Sequence, residues 1–355
     1  MKNPKVAIFY DWLNQWGGAE RVLLDLLEIY PQADIYTLYY DPSKTKWLPI
    51  KHKIFSLNLK NKLLYTPFYA YKLEQIDFSN YDILISTTST VGHCLITSPK
   101  TLFLCYFHNI NRYLYQQPPL FLKTLLEKYQ KIDQIYSARP DYIFCNSKNV
   151  LNRIQNHYQR PATIIYPGID TNKFIPSNQK AKKYFLIVSR LVAHKMIDLA
   201  INTFKNSSYK LKIVGNGRDE KYLKLLAKND KNIEFLNHVD DHQLVKLYQN
   251  CLGIIYPQEE DFGLSALEAQ SCGRGVIAYN RGGAKETVVN NQTGVFFEEQ
   301  SEKSLSEAIK KYLQSPPSSA ACRKNALGFD RHIFMLNFKK QIDSLWSKKQ
   351  QPIIL

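Results

Sequence analysis

Glu260 and Glu268 stand eight positions apart in the segment Pro257 to Glu286 (PQEEDFGLSALEAQSCGRGVIAYNRGGAKE), where groups able to do chemistry are densest. If a helix begins near Leu264, then Phe262, Gly263 and Leu264 present backbone N–H groups at its N-terminus, a ready site for an anion such as a diphosphate. Glu260, still in the loop, would accept hydrogen bonds from sugar hydroxyls. Glu268, one turn into the helix, would take a pair of vicinal hydroxyls such as those of a ribose. The pair alone is weak evidence, because most helical glutamates are simply solvated. A second constellation is Ser189-Arg190-Leu191 with Lys195, just after the apolar run Tyr184 to Val188. Two cations at a strand end would neutralise a departing diphosphate without a metal; the plain alternative is two surface charges. Gly17-Gly18 would let the backbone approach a phosphate closely. His108 ends another apolar run and is either a satisfied structural residue or a catalytic polar group.

These groups need strand ends to hold them. Val6 to Tyr10 is a short continuous apolar run, the pattern of a central parallel strand buried on both faces. The loop Asp11 to Trp16, the glycine pair and the amphipathic run Arg21 to Tyr30 follow it, which reads as strand, glycine turn, helix. Strand-like runs recur at 34–38, 83–86, 101–107, 142–145 and 163–166, with helical patterns at 120–138 and 148–158. In the second half, strands at 184–189, 210–214, 233–236, 252–256 and 275–279 alternate with helices at 196–204, 219–227, 241–250 and 265–272. Such alternation predicts an α/β protein of two doubly wound, Rossmann-like domains with the ligand cleft between them. The proline- and glycine-bearing stretch 166–176 is the expected linker. No GxGxxG follows the first strand, which argues against a dinucleotide-dependent dehydrogenase. No ligand cluster or DxD-like pair sits at a strand end, which argues against a zinc or magnesium enzyme.

Composition sets the outer bounds. A chain of 355 residues exceeds the size at which one core stops growing, so two domains are expected. Its 45% hydrophobic and 22% charged residues are ordinary for a globular protein. The apolar run near Met1 is too short for a signal-peptide core or a membrane span. Six scattered cysteines without a CxxC pair read as reduced, mostly buried thiols of a cytoplasmic protein. The net charge of +16 favours an anionic partner, against the bland reading of a solvated lysine-rich surface. From Pro42 to Lys72 there are seven lysines (44, 46, 51, 53, 60, 62 and 72) and no acidic residue. They are interleaved with Trp47, Phe55, Leu57, Leu59, Leu63, Leu64, Tyr65, Phe68 and Tyr69. That composition suits peripheral contact with an anionic membrane, unless the apolar residues are the buried faces of helices.

The ordered set Gly17-Gly18-Ala19-Glu20-Arg21, Ser189-Arg190-Leu191 with Lys195, Gly215-Asn216-Gly217, Glu260 with Glu268, and Gly282-Gly283 with Glu286 resembles family 4 of the retaining glycosyltransferases. Within it, His108-Asn109 with Arg112-Tyr113, Glu259 to Gly263 and Gly273-Arg274 resemble the GDP-mannose-dependent transferases that build O-antigen and exopolysaccharide. The resemblance implies the GT-B fold: an acceptor-binding domain over 1–166, a nucleotide-sugar-binding domain over 167–330, and a helix over 331–348 crossing back to the first. It implies a retaining reaction with no metal and no cofactor, in which a nucleotide-sugar donor gives its hexose to a glycan or lipid-linked acceptor. By position, Arg190 and Lys195 would hold the diphosphate, with Gly17, Gly18, Ser189 and Gly215 lining the donor site. Glu268 would hold the ribose and Glu260 the sugar, assisted by the amides of Phe262, Gly263 and Leu264. His108 would bond the sugar near its anomeric centre, and Asp11, Asn109, Arg112 and Tyr113 would face the acceptor. Met196, Ser265-Ala266, Gly275 and His93 depart from the family pattern. The expected location is the cytoplasmic face of the membrane, with no nucleic-acid partner. UDP-glucose or UDP-N-acetylglucosamine as donor, or a non-catalytic membrane- or polyanion-binding homologue, are the alternatives.

Overall fold

A computed structural model describes residues 4–49, 51–59, 66–115, 123–205, 207–228, 230–237 and 239–351. The chain forms two compact units, Met1–Pro167 with Phe334–Leu355, and Gly168–Ile333. Each unit is a parallel sheet flanked by helices, the Rossmann-like arrangement that alternating apolar strands and amphipathic helices require.

In the first unit the strand order is β3-β2-β1-β4-β5-β6-β7. The strands are β1 (Val6–Leu13), β2 (Asp34–Tyr40), β3 (Ile54–Ser56), β4 (Ile83–Thr88), β5 (Leu102–Phe107), β6 (Tyr142–Cys145) and β7 (Thr163–Ile164). Every residue of β1, β4 and β5 is buried, so these strands read as unbroken apolar runs. Alternate residues of β1 feed two cores. Val6, Ile8 and Tyr10 pack with α1 (Gly18–Ile29), whereas Ala7 and Phe9 pack with Tyr69, Ala70 and Leu73 of α2 (Thr66–Leu73). Helices α3 (Arg112–Tyr115), α4 (Lys123–Tyr136) and α5 (Lys148–Tyr158) complete this part. The last helix, Arg331–Lys349, puts Phe334, Phe338 and Ile342 into the same core as Ile8 and Tyr106, and Lys349 bonds Asp141 at 2.8 Å. The spacing of those three residues is one face of a helix.

The second unit has the order β10-β9-β8-β11-β12-β13. Here β8 is Tyr184–Val188, β9 Lys210–Val214, β10 Ile233–Phe235, β11 Gly253–Tyr256, β12 Gly275–Tyr279 and β13 Gly294–Phe297. Its principal helices are α6 (Ile197–Phe204), α7 (Glu220–Leu226), α8 (Asp241–Asn250) and α9 (Leu264–Ser271). The strand sequence reverses direction between β1 and β4 in the first sheet and between β8 and β11 in the second. Crevices at the carboxyl ends of such strand pairs are where open α/β sheets take ligands.

Several expectations are corrected. β1 continues to Leu13 instead of ending at Tyr10, because Trp12 and Leu13 pair in register with Tyr39 and Tyr40. Asp11 therefore lies inside a strand. The short strands β3 and β13 were not foreseen; both are edge strands too brief to show a period. Within the stretch 166–176 expected as the linker, the first unit ends at Pro167 and the second begins at Gly168; from there Ile169 bonds the backbone of Phe329 and Arg331 at 2.9 Å, and Phe174 is buried in the core. In the basic segment, Lys44, Lys46, Lys51, Lys53 and Lys72 are exposed, as are Phe55 and Tyr71. Tyr69, Leu57 and Leu59 instead pack on the core. Lys60, Lys62, Leu63, Leu64 and Tyr65 lie outside the described residues. Among the described residues, no helix is long and apolar enough to cross a membrane.

All six cysteines are free and buried. One of them, Cys94, joins His93 and Asp133 in a group whose ligand atoms lie within 4.8 Å of one another, a cluster that linear spacing hid. His93 Nε2 bonds Asp133 Oδ1 at 2.9 Å, and the hydroxyls of Tyr115 and Tyr158 donate to Oδ2 at 3.1 and 2.8 Å. The carboxylate thus gathers bonds from three elements. Burial works against the imidazolium, yet the adjacent Cys94 and Asp133 outweigh it and hold the His93 pKa well above 6.5. A raised histidine pKa adds stability below the unfolded value, and that stability is lost as pH rises through the folded value. Asp133→Asn is expected to lower unfolding free energy by about 3 kcal/mol near pH ~6. The deficit should shrink at higher pH, as urea titrations across pH will show.

Candidate active site

Lys195 and Glu260 form an ion pair. The two residues come from the loops that leave β8 and β11, the neighbouring strands at which the second sheet reverses its order. Lys195 closes a single 3-10 turn, Ala193–Lys195, and is only 5% exposed. A buried ammonium needs a counter-charge, and the Glu260 carboxylate supplies it. Arg190, in the same loop as Lys195, is exposed. Beyond Glu260, α9 starts at Leu264 with Gly263 as its N-cap at φ +107, and no side chain caps it. Ala266 N donates to Gly263 O at 3.1 Å, and the amides of Leu264 and Ser265 ahead of it are those that a helix N-terminus offers to an acceptor group. Phe262 is buried, with its ring centroid 5.8 Å from that of Phe329.

Glycines bring these loops together. A Cβ on Gly215, which has φ +134, would lie 1.9 Å from the Ser189 carbonyl oxygen, and one on Gly217 would lie 2.1 Å from that of Leu191. Leu191 N donates to Asn216 O at 3.0 Å across this approach. Gly215 thus supports the Ser189–Leu191 loop from beneath. Gly282 and Gly283 do the same for the acidic loop: their Cβ atoms would lie 2.4 Å from Glu260 O and 2.3 Å from Phe262 Cα, and Gly283 N donates to Glu260 O at 2.8 Å.

Glu268 is 3% exposed, and the Tyr248 hydroxyl of α8 donates to its Oε2 at 2.8 Å. The bidentate grip read from the sequence must therefore share one oxygen with a tyrosine. Tyr248 was not foreseen, since nothing in its spacing links it to Glu268. Gln258 was also missed; it is buried just ahead of Glu260, and its Oε1 has no partner among the described residues.

In the first unit, the remaining residues gather at the carboxyl ends of β1, β4 and β5. His108 Nε2 lies 2.7 Å from Thr87 Oγ1, and its carbonyl accepts from Asn146 at 3.0 Å. Asn109 is buried; its Oδ1 accepts from Arg153 at 2.9 Å while its Nδ2 has no partner among the described residues. Arg112 is half-buried and Tyr113 exposed. Asp11 accepts from the Thr88 hydroxyl and the Ser89 amide, both at 2.7 Å. Burial raises its pKa, and those two bonds offset part of the rise. Its carboxylate thus ties β1 to β4. Gly17 caps α1 in an extended conformation and Gly18 is exposed. Beneath them, buried Glu20 accepts from Tyr10 at 2.5 Å and from Gln15 at 3.1 Å, fixing the glycine loop.

Residues 16–173 match the family described as Glycosyltransferase Family 4, and residues 168–328 the family described as Glycosyl transferases group 1. An uncharacterised glycosyltransferase of Methanocaldococcus jannaschii is 26% identical over 198 residues, which cover 55% of this chain and 56% of that protein. The Mus musculus alpha-1,3/1,6-mannosyltransferase ALG2 is 25% identical over 364 residues, covering 86% of each chain. The crystal structure of Anabaena HepE in complex with UDP and glucose matches with a TM-score of 0.73 at 16% identity, over 96% of this chain and 100% of that one. Gly282→Ala is expected to cost more than about 1 kcal/mol, because it adds a Cβ against backbone at positive φ. A thermal melt beside wild type measures it.

Proposed function

We propose that this chain, a GT-B protein of the glycosyltransferase family 4 and group 1 type, moves a hexose from a nucleotide-diphosphate donor to a glycan or lipid-linked acceptor. Mannose from GDP-mannose is the donor we favour. The observation that carries the reading is the Lys195–Glu260 pair at the strand-order reversal of the second sheet, beside an uncapped helix N-terminus. An arriving diphosphate competes with Glu260 for the Lys195 ammonium. Glu260, released from the lysine, is then able to accept hydrogen bonds from the hydroxyls of the sugar. Arg190 adds a second positive charge from the same loop, and the α9 amides add dipoles without metal. The reaction we propose is retaining. The bond from the anomeric carbon to the diphosphate oxygen breaks, the acceptor oxygen bonds the same face, and its proton passes to the departing diphosphate. Support for mannose comes from the sequence resemblance and from the mannosyltransferase relative.

UDP-linked hexose is the second reading, favoured by the structural likeness to a protein crystallised with UDP and glucose. Contact with an anionic membrane is a further proposal, supported by exposed Lys44, Lys46, Lys51, Lys53 and Lys72 beside exposed Phe55 and Tyr71.

Lys195→Ala and Glu260→Ala should each lose about 100-fold or more in turnover while melting cooperatively. Near-normal transfer by both would refute the roles of the lysine and the glutamate. A panel of GDP- and UDP-sugars, followed by nucleotide release, should show GDP-mannose turned over fastest; a faster UDP-sugar moves the assignment to the second reading.

A further inference from the structure

Two tryptophans stand together beside the glycine loop of the first unit, and the transfer chemistry calls on neither. Trp16 lies on the loop leaving the carboxyl end of β1, directly before Gly17 and α1. Trp47 lies on the segment that follows β2, the strand paired with β1. The ring centroids are 5.1 Å apart with the planes at 50°. Trp16 is 39% exposed, although burying an indole is among the larger apolar gains a chain can make. A lone exposed aromatic would need no comment. This one is paired and held.

The holding is specific. Trp47 Nε1 donates to the Gln15 carbonyl at 3.0 Å, and Gln15 Nε2 donates to buried Glu20 at 3.1 Å. Trp47 also packs its base against the core around β1 and α1. The Arg21 guanidinium lies 5.8 Å from the Trp16 ring centroid, a polar donor at the edge of the pair. An aromatic surface fixed in advance binds without the cost of ordering it. Its chemistry also selects a ligand. The face of a pyranose ring carries C–H groups of slight positive charge, which suit the negative face of an indole. Its hydroxyls at the rim suit neighbouring donors and acceptors such as Arg21 and Gln15.

We propose that Trp16 and Trp47 form a platform on which a pyranose ring of the acceptor glycan stacks. The proposal rests on the glycosyl-transfer reading and names the acceptor's chemical class. The test uses the full chain and four probes: methyl α-mannoside, methyl β-glucoside, methyl β-galactoside and methyl N-acetyl-β-glucosaminide. Saturation-transfer NMR and tryptophan fluorescence report binding. At least one glycoside should bind wild type, with affinity falling about tenfold in Trp16→Ala and largely regained in Trp16→Phe. In transfer assays Trp16→Ala should raise the acceptor KM while the donor KM stays unchanged. Trp47→Phe, which keeps the packing, should weaken glycoside binding less than Trp16→Ala.

Glycoside binding unchanged in Trp16→Ala overturns the platform, as does a wild type that binds none of the four. So does a Trp16→Ala chain that loses affinity only for vesicles of phosphatidylcholine and phosphatidylglycerol, since that outcome assigns the pair to a membrane. Release of nucleotide from sugar nucleotides by wild type tests the transfer reading separately. Its presence alongside unaltered glycoside binding by Trp16→Ala removes the platform alone.

Discussion

A lysine ammonium taken out of water must find a negative partner, and in this chain that demand organises the second unit. Lys195 and Glu260 sit on loops from adjacent, oppositely wound parts of the sheet, so they meet only if β8 and β11 are neighbours. The pair is chemically incomplete in a useful sense. A carboxylate can be exchanged for a phosphate as the counter-charge, and the displaced carboxylate then has lone pairs for hydroxyl groups. Neither loop could hold this geometry unaided, because both are short and irregular.

Close backbone packing is what stiffens them. Gly215 and Gly217 lie against the backbone of Ser189 to Leu191, and Gly282 and Gly283 lie against that of Glu260 to Phe262. Any side chain at these positions would push the charged loops away from their places. Gly215, expected to line the donor site, thus acts on the Ser189–Leu191 loop. Tyr248 does comparable work for Glu268 by fixing one carboxylate oxygen from a neighbouring helix.

At the carboxyl ends of its central strands the first unit relies on buried polar bonds. Asp11 bridges β1 to the end of β4, His108 bonds Thr87, and Glu20 gathers Tyr10 and Gln15 under the glycine loop. These bonds satisfy polar groups at strand ends that would otherwise be costly to bury. They also leave the exposed side chains of that edge, Trp16 and Tyr113 among them, standing on a rigid base.

Much of this was legible in the residues. The continuous apolar run of β1 announced a parallel strand buried on both faces, and the resemblance to the family implied the helix over 331–348 that carries Phe334, Phe338 and Ile342. Lys195 and Glu260 were both identifiable as charged residues just beyond strands. Their mutual pairing was not, nor was the burial of Lys195, because the long stretch of chain between them carries no record of which strands become neighbours. For the same reason Asp11 read as a loop residue, and Tyr248, Asp133 and Trp47 had no visible partners. Local pattern determines which segments are strands and helices, since that depends on each residue's near neighbours. The strand order, and with it which distant side chains share a charge, a hydrogen bond or a ring face, is decided only when the sheets assemble.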